Sequence, residues 1–600
     1  MTTFYRLLGF LRPYRRGLTI SWALASLAMV MTVALPALTG RAVQVISTGA
    51  QHHQAGARTG DRHELALIAG AIALVVLVRW GLTYWRRMVA GRVSLGVEYD
   101  LRELLYGHLQ RLELGFFDRQ QTGQLMSRAT VDLQAVRFFL GYGLVFIAQS
   151  LLSILLAAVA MFLLQPELAA LSLAPVPFVV LIANRYGKHS RPALQEAQQR
   201  IAELTAEAEE NISGIRVIKA FAQEERQLER FRHSVTRVFS QQMTATKIQA
   251  RYTPLISFLP SLGLAVILLV GGRQVIAGTL SIGAFTAFYA YLLMLISPMR
   301  TLGYMLSAAQ RATASGARIF QILDRAPQMT VPEGAPPLPA GRGQVSFSGV
   351  GLTFEGSPSP ALHDVELEVQ AGETIALVGA MGSGKTALVS LLPRLYDVTE
   401  GSVKIDGADV RDVDPVSLRH QIAVVTDDPF LFSATVHDNI AYGRPDASRE
   451  EVEHAARATQ ADSFIRSLPR GYETLIGERG LTLSGGQRQR IAIARAIVAD
   501  PRILILDDAT SSVDASTEQE IKLALREVMA GRTTFVVAHR LSTIALADEI
   551  VVLMDGTVAA RGSHEQLLES STLYREIVEK GMPDQVFINR KPLEAEVAGL

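Results

Sequence analysis

Six hundred residues leave room for several domains at about 100–200 residues each, and composition narrows the choice. The chain has no cysteine, a net charge of +1, 49% apolar and only 19% charged residues, and a mean hydropathy of +0.23. That excludes a disulfide framework, thiolate metal sites, cysteine nucleophiles and wholesale disorder, and it gives nucleic-acid binding no electrostatic support. Only eight of the 58 basic residues are lysine, the mark of GC-rich codon usage, which points to a bacterial source.

The apolar excess is concentrated before residue 300. A bilayer core about 30 Å thick needs about 20 helical residues. Six spans are therefore expected, near 17–40, 63–85, 138–164, 167–186, 252–272 and 280–300. Basic residues set their orientation. Arg6, Arg12, Arg15 and Arg16 precede the first span, residues 86–137 hold eight arginines, and residues 185–251 hold twelve Arg or Lys. The intervening segments hold only Arg58 and Arg62, or Arg273. Both termini are thus expected in the cytoplasm, in the inner membrane of a bacterium. Residues 86–112 and 188–210 are rich in helix formers and read as helical stalks beyond the membrane. Arg41 and Arg79 lie near or within apolar spans, where arginine faces a cavity, pairs inside the bundle or, at a span's end, snorkels to the interface. Phe285, Phe288, Tyr289 and Tyr291 in the sixth span line a cavity or pack in the core.

Residues 326–342 are rich in proline and glycine without periodicity and read as a linker. Beyond them, short apolar runs at Thr374–Val378, Ile422–Val425, Ile503–Leu506 and Thr534–Val537 alternate with helical stretches, the pattern of buried strands in an α/β domain. The expected architecture is multidomain: an all-α six-helix transmembrane domain over 1–325, an α/β domain over 343–585, and a loose tail over 586–600.

Gly379-Ala380-Met381-Gly382-Ser383-Gly384-Lys385-Thr386 matches the phosphate-binding pattern G-x-x-x-x-G-K-[ST] between the strand Thr374–Val378 and a helical run, Ala387–Tyr396. Glycines let backbone N–H groups turn toward phosphate, and the helix N-terminus adds partial positive charge. Lys385 is expected on the β- and γ-phosphates of ATP, and Thr386 on Mg²⁺. The run Ile503–Leu506 ends in Asp507 and Asp508, which places Asp507 to hold Mg²⁺ directly or through water.

Leu483-Ser484-Gly485-Gly486-Gln487 precedes the helical run Ile491–Ala499. With the phosphate loop, it makes the chain resemble an ABC transporter of the exporter type (type IV fold), a half-transporter whose membrane and nucleotide-binding domains are fused. The resemblance covers nearly the whole chain. It implies that Phe354 stacks on adenine, that Ser511-Ser-Val-Asp514 is the D-loop, and that His539 senses the γ-phosphate. It likens Gly477-Glu-Arg-Gly480 to the loop that touches the partner's membrane domain. Phe116–Asp118, with Thr122–Gln124 and Ser127–Arg128, resembles the first coupling-helix region, and Asn211–Phe221 resembles the second. It also implies that Ser484, Gly485, Gly486 and Gln487 complete an ATP site on the opposite subunit, so that the working unit is a dimer.

Two positions depart from that family. The residue after the Mg²⁺ aspartate is usually glutamate, which polarises the attacking water. Here it is Asp508, one methylene shorter. The glutamine that opens the Q-loop is replaced by Asp427, an added carboxylate near the metal. Together they suggest a weakly hydrolytic site in a heterodimer whose other half-transporter supplies the catalytic glutamate. A homodimeric exporter tolerating Asp508, and a regulatory or channel-like subunit that binds ATP without pumping, are the alternatives. The expected substrate is hydrophobic or amphiphilic, a drug or lipid, with membrane lipids as surroundings and no nucleic acid as partner.

Overall fold

The computed structural model describes residues 2–54, 60–477, 480, 483–507, 525–538 and 540–581. They form two units, one of Met1–Leu109 with Gly123–Arg325, the other of Gln110–Thr122 with Ala326 onward. The short segment 110–122 therefore groups with the nucleotide-binding half although it lies within the membrane half in sequence.

Six helices of the first unit are long and apolar enough to cross a membrane: α1 (Arg15–Thr48), α2 (Arg62–Leu109), α4 (Thr122–Leu164), α5 (Pro166–Ser213), α6 (Glu224–Ile276) and α7 (Ile282–Leu323). Each is longer than its apolar stretch because the polar stalks continue the same helix. A short helix, α3 (Leu114–Arg119), lies between α2 and α4, and another, Ile215–Ala220, joins α5 to α6. Two π-helical turns interrupt α4, at Arg128–Asp132 and Phe139–Gly143.

The helices pack through small residues, as expected where lipid tails supply no hydrophobic contrast. At the crossing of α1 and α7, a Cβ on either Gly40 or Gly283 would stand 2.3 Å from the other's carbonyl oxygen. Gly283 N–H donates to Gln44 Oε1 (3.1 Å), and the Ser281 hydroxyl caps α7 by accepting from Ala284 N. Along α2 the stripe Ala90, Val93, Val97, Leu101 and Leu105 is buried at helical spacing, while Leu74, Leu77 and Trp80 stay more than half exposed. Phe288 and Tyr291 are core residues, and the Tyr291 hydroxyl donates to Val33 O (2.8 Å). Arg41 pairs with Glu64 (3.5 Å), and Arg79 is exposed on α2.

The second unit carries two sheets. One is antiparallel, in the order β2-β1-β4-β5: β1 (Val345–Leu352), β2 (Leu362–Val369), β4 (Glu400–Ile405) and β5 (Ala408–Asp409). The other runs β10-β9-β3-β8-β7-β6: β3 (Thr374–Val378), β6 (Ile422–Val425), β7 (Ile503–Asp507), β8 (Thr533–Val537), β9 (Glu549–Met554) and β10 (Thr557–Gly562), parallel except for the hairpin β9-β10. Every residue of β3 is buried, which explains its unbroken apolar reading, since a central parallel strand is covered on both faces. Phe347 of the first sheet meets Phe535 of the second edge-on inside a shared core.

The helix after the phosphate loop is shorter than its sequence suggests. α8 spans Lys385–Ser390, and turns follow. Pro393 has no N–H and disfavours helical geometry at Leu392. Arg394 takes φ +49°, with its buried guanidinium held by Asp397, Thr330 O and Arg411 O.

A nucleotide site at the carboxyl edge of the parallel sheet

The loop leaving β3 is shaped by three glycines. A Cβ at Gly379 would lie 2.3 Å from Leu553 O. Gly382 and Gly384 take φ +84° and +97°, in the left-handed region that side chains rarely adopt. At Gly384 a Cβ would also crowd Leu362 (2.7 Å) and Ala361 O (2.8 Å), which sets the β1-β2 loop carrying Phe354 directly against the phosphate loop. Lys385 is buried and folds over the loop, its Nζ donating to Gly379 O and Ala380 O at 2.9 Å each and to Ser383 Oγ at 3.5 Å. Met381, at the tip, is almost wholly exposed.

Thr386 Oγ1 donates to Asp507 Oδ1 at 3.4 Å. The hydroxyl that opens α8 and the carboxylate that ends β7 thus form one oxygen pair, suited to a hard divalent cation beside phosphate. Val425 pairs with Leu506, so Asp427, just past β6, emerges at the same edge as Asp507. The loop it opens is anchored further on. Asn439 accepts from Phe432 N (2.9 Å) and donates to Phe432 O (3.0 Å), and Arg495 donates to Asn439 O (2.8 Å) and Phe430 O (3.1 Å).

Arg495 belongs to α9 (Gly485–Val498), and Ser484 is its N-cap. Ser484 Oγ accepts from Gln487 N (3.3 Å) and Gln487 Oε1 accepts from Ser484 N (2.9 Å), a capping box. The box uses the N–H groups of Ser484 and Gln487 and leaves the first-turn donors of Gly485 and Gly486 to be met from outside the helix. Two glycines at this point keep those donors unobstructed, the arrangement that suits an anion.

Phe354 lies edge-on to Tyr396, with ring centroids 5.1 Å apart, at a cavity of about 590 Å³. Glu113, Asp118, Arg119, Gln328 and Glu355 also line that cavity. The Tyr396 hydroxyl donates to Asp118 of α3, and Arg119 of the same helix donates to Glu355. Burial first, and the Asp118 carboxylate second, push the Tyr396 hydroxyl well above the usual tyrosine value, so it remains a donor at any physiological pH. Sequence reasoning found Phe354 but missed Tyr396 and Glu355. Tyr396 and Asp118 stand 278 residues apart, and no local pattern marks the pair. Asp508, His539 and Ser511–Asp514 lie outside the described residues, as do Glu478 and Arg479.

Comparison with known proteins agrees with this geometry. Residues 18–299 match the family described as ABC transporter transmembrane region, and residues 362–511 the one described as ABC transporter. The chain is 36% identical to the uncharacterized ABC transporter ATP-binding protein YknU of Bacillus subtilis, over 98% of this chain and 99% of that protein. It is likewise 36% identical to an ATP-dependent lipid A-core flippase of Syntrophus aciditrophicus, over 95% and 92%. With the multidrug efflux ATP-binding/permease protein Rv0194 of Mycobacterium tuberculosis it shares 38% identity over 99% of its own length, spanning about half (49%) of that larger protein. A solved structure of a bacterial Atm1-family ABC exporter with ATP bound superposes with a TM-score of 0.76 at 30% identity, covering 94% of this chain and 98% of that one. The phosphate loop, the signature helix cap and six membrane-crossing helices thus share one polypeptide, and the chain belongs to the ABC transporter family, as a multi-pass membrane ATPase of the exporter type.

Proposed function

We propose that this chain is one half of an ATP-driven exporter of hydrophobic or amphiphilic molecules, such as drugs or lipids, and that its own ATP site hydrolyses slowly. Both termini and the nucleotide-binding domain lie in the cytoplasm by the basic bias of their flanking segments. Relatives named as a lipid A-core flippase and as multidrug efflux proteins support the substrate class.

The phosphate loop and Lys385 bind the phosphates, Phe354 stacks on adenine, and Thr386, Asp507 and Asp427 are the residues that would hold Mg²⁺. Bound there, the metal would neutralise phosphate charge. Ser484, Gly485, Gly486 and Gln487 serve the site of the second half-transporter, and His539 reads the γ-phosphate. The observation that carries the slow-site reading is the convergence of Asp427 and Asp507 on one sheet edge through the β6–β7 pairing. An added carboxylate there raises the negative charge next to the phosphates. Asp508, in the glutamate position, reaches a methylene short of the attacking water. General-base contributions of about 10²–10⁴-fold are what this shortening puts at stake.

The test is isolation of the native complex. The expected result is a second ABC half-transporter of different sequence, with Glu after its own metal-binding Asp. Recovery of a homodimer that hydrolyses ATP rapidly would overturn the proposal in favour of an exporter tolerant of Asp508. ATP-independent flux through a Lys385→Ala complex would favour a channel-like subunit.

A further inference from the structure

One buried side chain beside the nucleotide site is unmatched by its surroundings. Gln489, in α9, is 0% exposed, and both its Nε2 and its Oε1 are buried without a hydrogen-bond partner. Among the described residues no other side chain leaves two such atoms unmet. Buried polar atoms in folded proteins are mostly paired, so an exception calls for a reason. Packing does not supply one. Ala492, Ile493 and Ala496 lie at i+3, i+4 and i+7 on the same face of α9, and all three are core residues. An apolar residue at 489 would extend that stripe and carry no unmet donor or acceptor.

The stripe also shows where the carboxamide is directed. Ala492, Ile493 and Ala496 share one cluster with Ala423 and Val425 of β6 and with Leu504 and Leu506 of β7. The opposite face, with Ile491, Ala494 and Val498, belongs to a separate cluster that includes Ile440 and Val452. Helical residues turn by about 100° each, which puts Gln489 between Ile493 and Ala496 in direction and so toward the sheet. Because β6 and β7 are parallel, the chain must return from the carboxyl edge of one to the amino edge of the other, and α9 is the last leg of that return. Its N-terminus is therefore at the carboxyl edge. From Val498 back to Gln489 the helix climbs about 14 Å, and from Ile503 to Asp507 the strand climbs about 13 Å. Gln489 is thus the member of the stripe level with Asp507, at the edge where Asp427 also emerges.

The chemistry suits that place. A carboxamide nitrogen donates two hydrogens, as a carboxylate requires, and its oxygen accepts from a water or an N–H. The Thr386 hydroxyl reaches Asp507 Oδ1 only at 3.4 Å, a long contact for an O–H donor, and so fixes that carboxylate loosely. Carboxylates that bind metals are themselves oriented by hydrogen bonds from behind, and loss of such a partner weakens metal binding about 10–100-fold.

We propose that Gln489 is a positioning residue for the metal-holding edge, its amide N–H groups orienting the Asp507 carboxylate directly or through one water. The inference rests on the role given to Asp507 under the proposed function. The full-length protein in detergent is compared with Gln489→Met, which keeps the length and loses the amide, and with Gln489→Asn, which keeps the amide on a shorter stem. Three quantities are read: the melting temperature without nucleotide, ATP affinity in chelator, and the affinity of the ATP complex for Mn²⁺, followed by electron paramagnetic resonance of the free ion. Gln489→Met should raise the melting temperature by about 2 °C or more, since two unmet polar atoms leave the core. It should keep metal-free ATP affinity within about twofold and weaken Mn²⁺ binding about tenfold or more. Gln489→Asn should retain part of the Mn²⁺ affinity. Unchanged Mn²⁺ affinity in Gln489→Met overturns the proposal, and so does a Gln489→Met protein that melts lower or fails to fold, the mark of a residue that only packs. Asp507→Asn, measured alongside, should abolish Mn²⁺ binding; if it does not, the role of Asp507 itself is refuted, and the proposal with it.

Discussion

Tyr396 joins two tasks that substitution can separate. Its ring supports Phe354 edge-on at 5.1 Å, and its hydroxyl donates to Asp118 in α3. Tyr396→Phe removes only the hydroxyl. The aromatic pair survives, so ATP affinity should stay within about twofold of wild type, an aromatic pair being worth about 0.5–1.5 kcal/mol beyond its burial. The lost bond ran to a carboxylate, for which about 1.5–3 kcal/mol is usual, but Asp118 is exposed and solvent recovers part of that. A loss near 1 kcal/mol in the attachment of α3 is the expected magnitude, by order. Tyr396→Ala removes the ring as well and leaves Phe354 unsupported, which should weaken ATP binding by about 2–10-fold. The assay is titration of purified full-length protein with a fluorescent ATP analogue, alongside proteolysis of the 110–122 segment. Tyr396→Phe should expose that segment to cleavage and leave affinity unchanged, and Tyr396→Ala should change both. Equal loss of affinity in the two variants would show that the hydroxyl holds the adenine aromatic, refuting the division of roles.

Gly384→Ala should abolish ATP binding, because the residue needs φ +97° and its Cβ would meet Ala361 O at 2.8 Å; isothermal titration with Mg-ATP checks this. Asp132→Ala should loosen α4 from α7, since its carboxylate takes both the Ser315 hydroxyl (2.8 Å) and Arg318 Nε (2.8 Å). A loss of about 1–3 kcal/mol is expected, read as a lower melting temperature in detergent, with Asp132→Asn milder. The nucleotide-binding half should lose stability in acid. Burial raises the Asp409 carboxyl, but hydrogen bonds from the Arg411 guanidinium and N–H outweigh it and hold the group below its ordinary value. A depressed carboxyl stabilises the fold above its unfolded pKa of about 3.9, and that contribution is lost as pH falls through the folded value. Thermal melts between about pH 6 and pH 3 should show the decline, and Asp409→Asn should flatten it.

Much of this was legible in the chain because it is local. The phosphate loop is eight consecutive residues between a strand and a helix, and two of its glycines, Gly382 and Gly384, take positive φ, although the need for Gly379 comes from the distant Leu553 carbonyl. The signature Ser484–Gln487 is similarly self-contained, since its capping box closes within four residues. The membrane helices declared themselves by length and apolar composition. What stayed hidden depends on distant contacts. Nothing around Tyr396 announces Asp118, and nothing around Arg394 announces that its guanidinium would be buried, whereas the early end of α8 was marked locally by Pro393.

The central claim is that this chain's own ATP site captures nucleotide through Lys385 and turns it over slowly because Asp508 stands where a glutamate would serve. Steady-state ATP hydrolysis by the purified full-length chain tests it most directly, compared across wild type, Lys385→Ala and Asp508→Glu. The account predicts slow turnover by the wild type, none with Lys385→Ala, and a rise of at least about tenfold with Asp508→Glu. Rapid hydrolysis by the chain alone with Asp508 intact, or hydrolysis indifferent to Lys385→Ala, would contradict it.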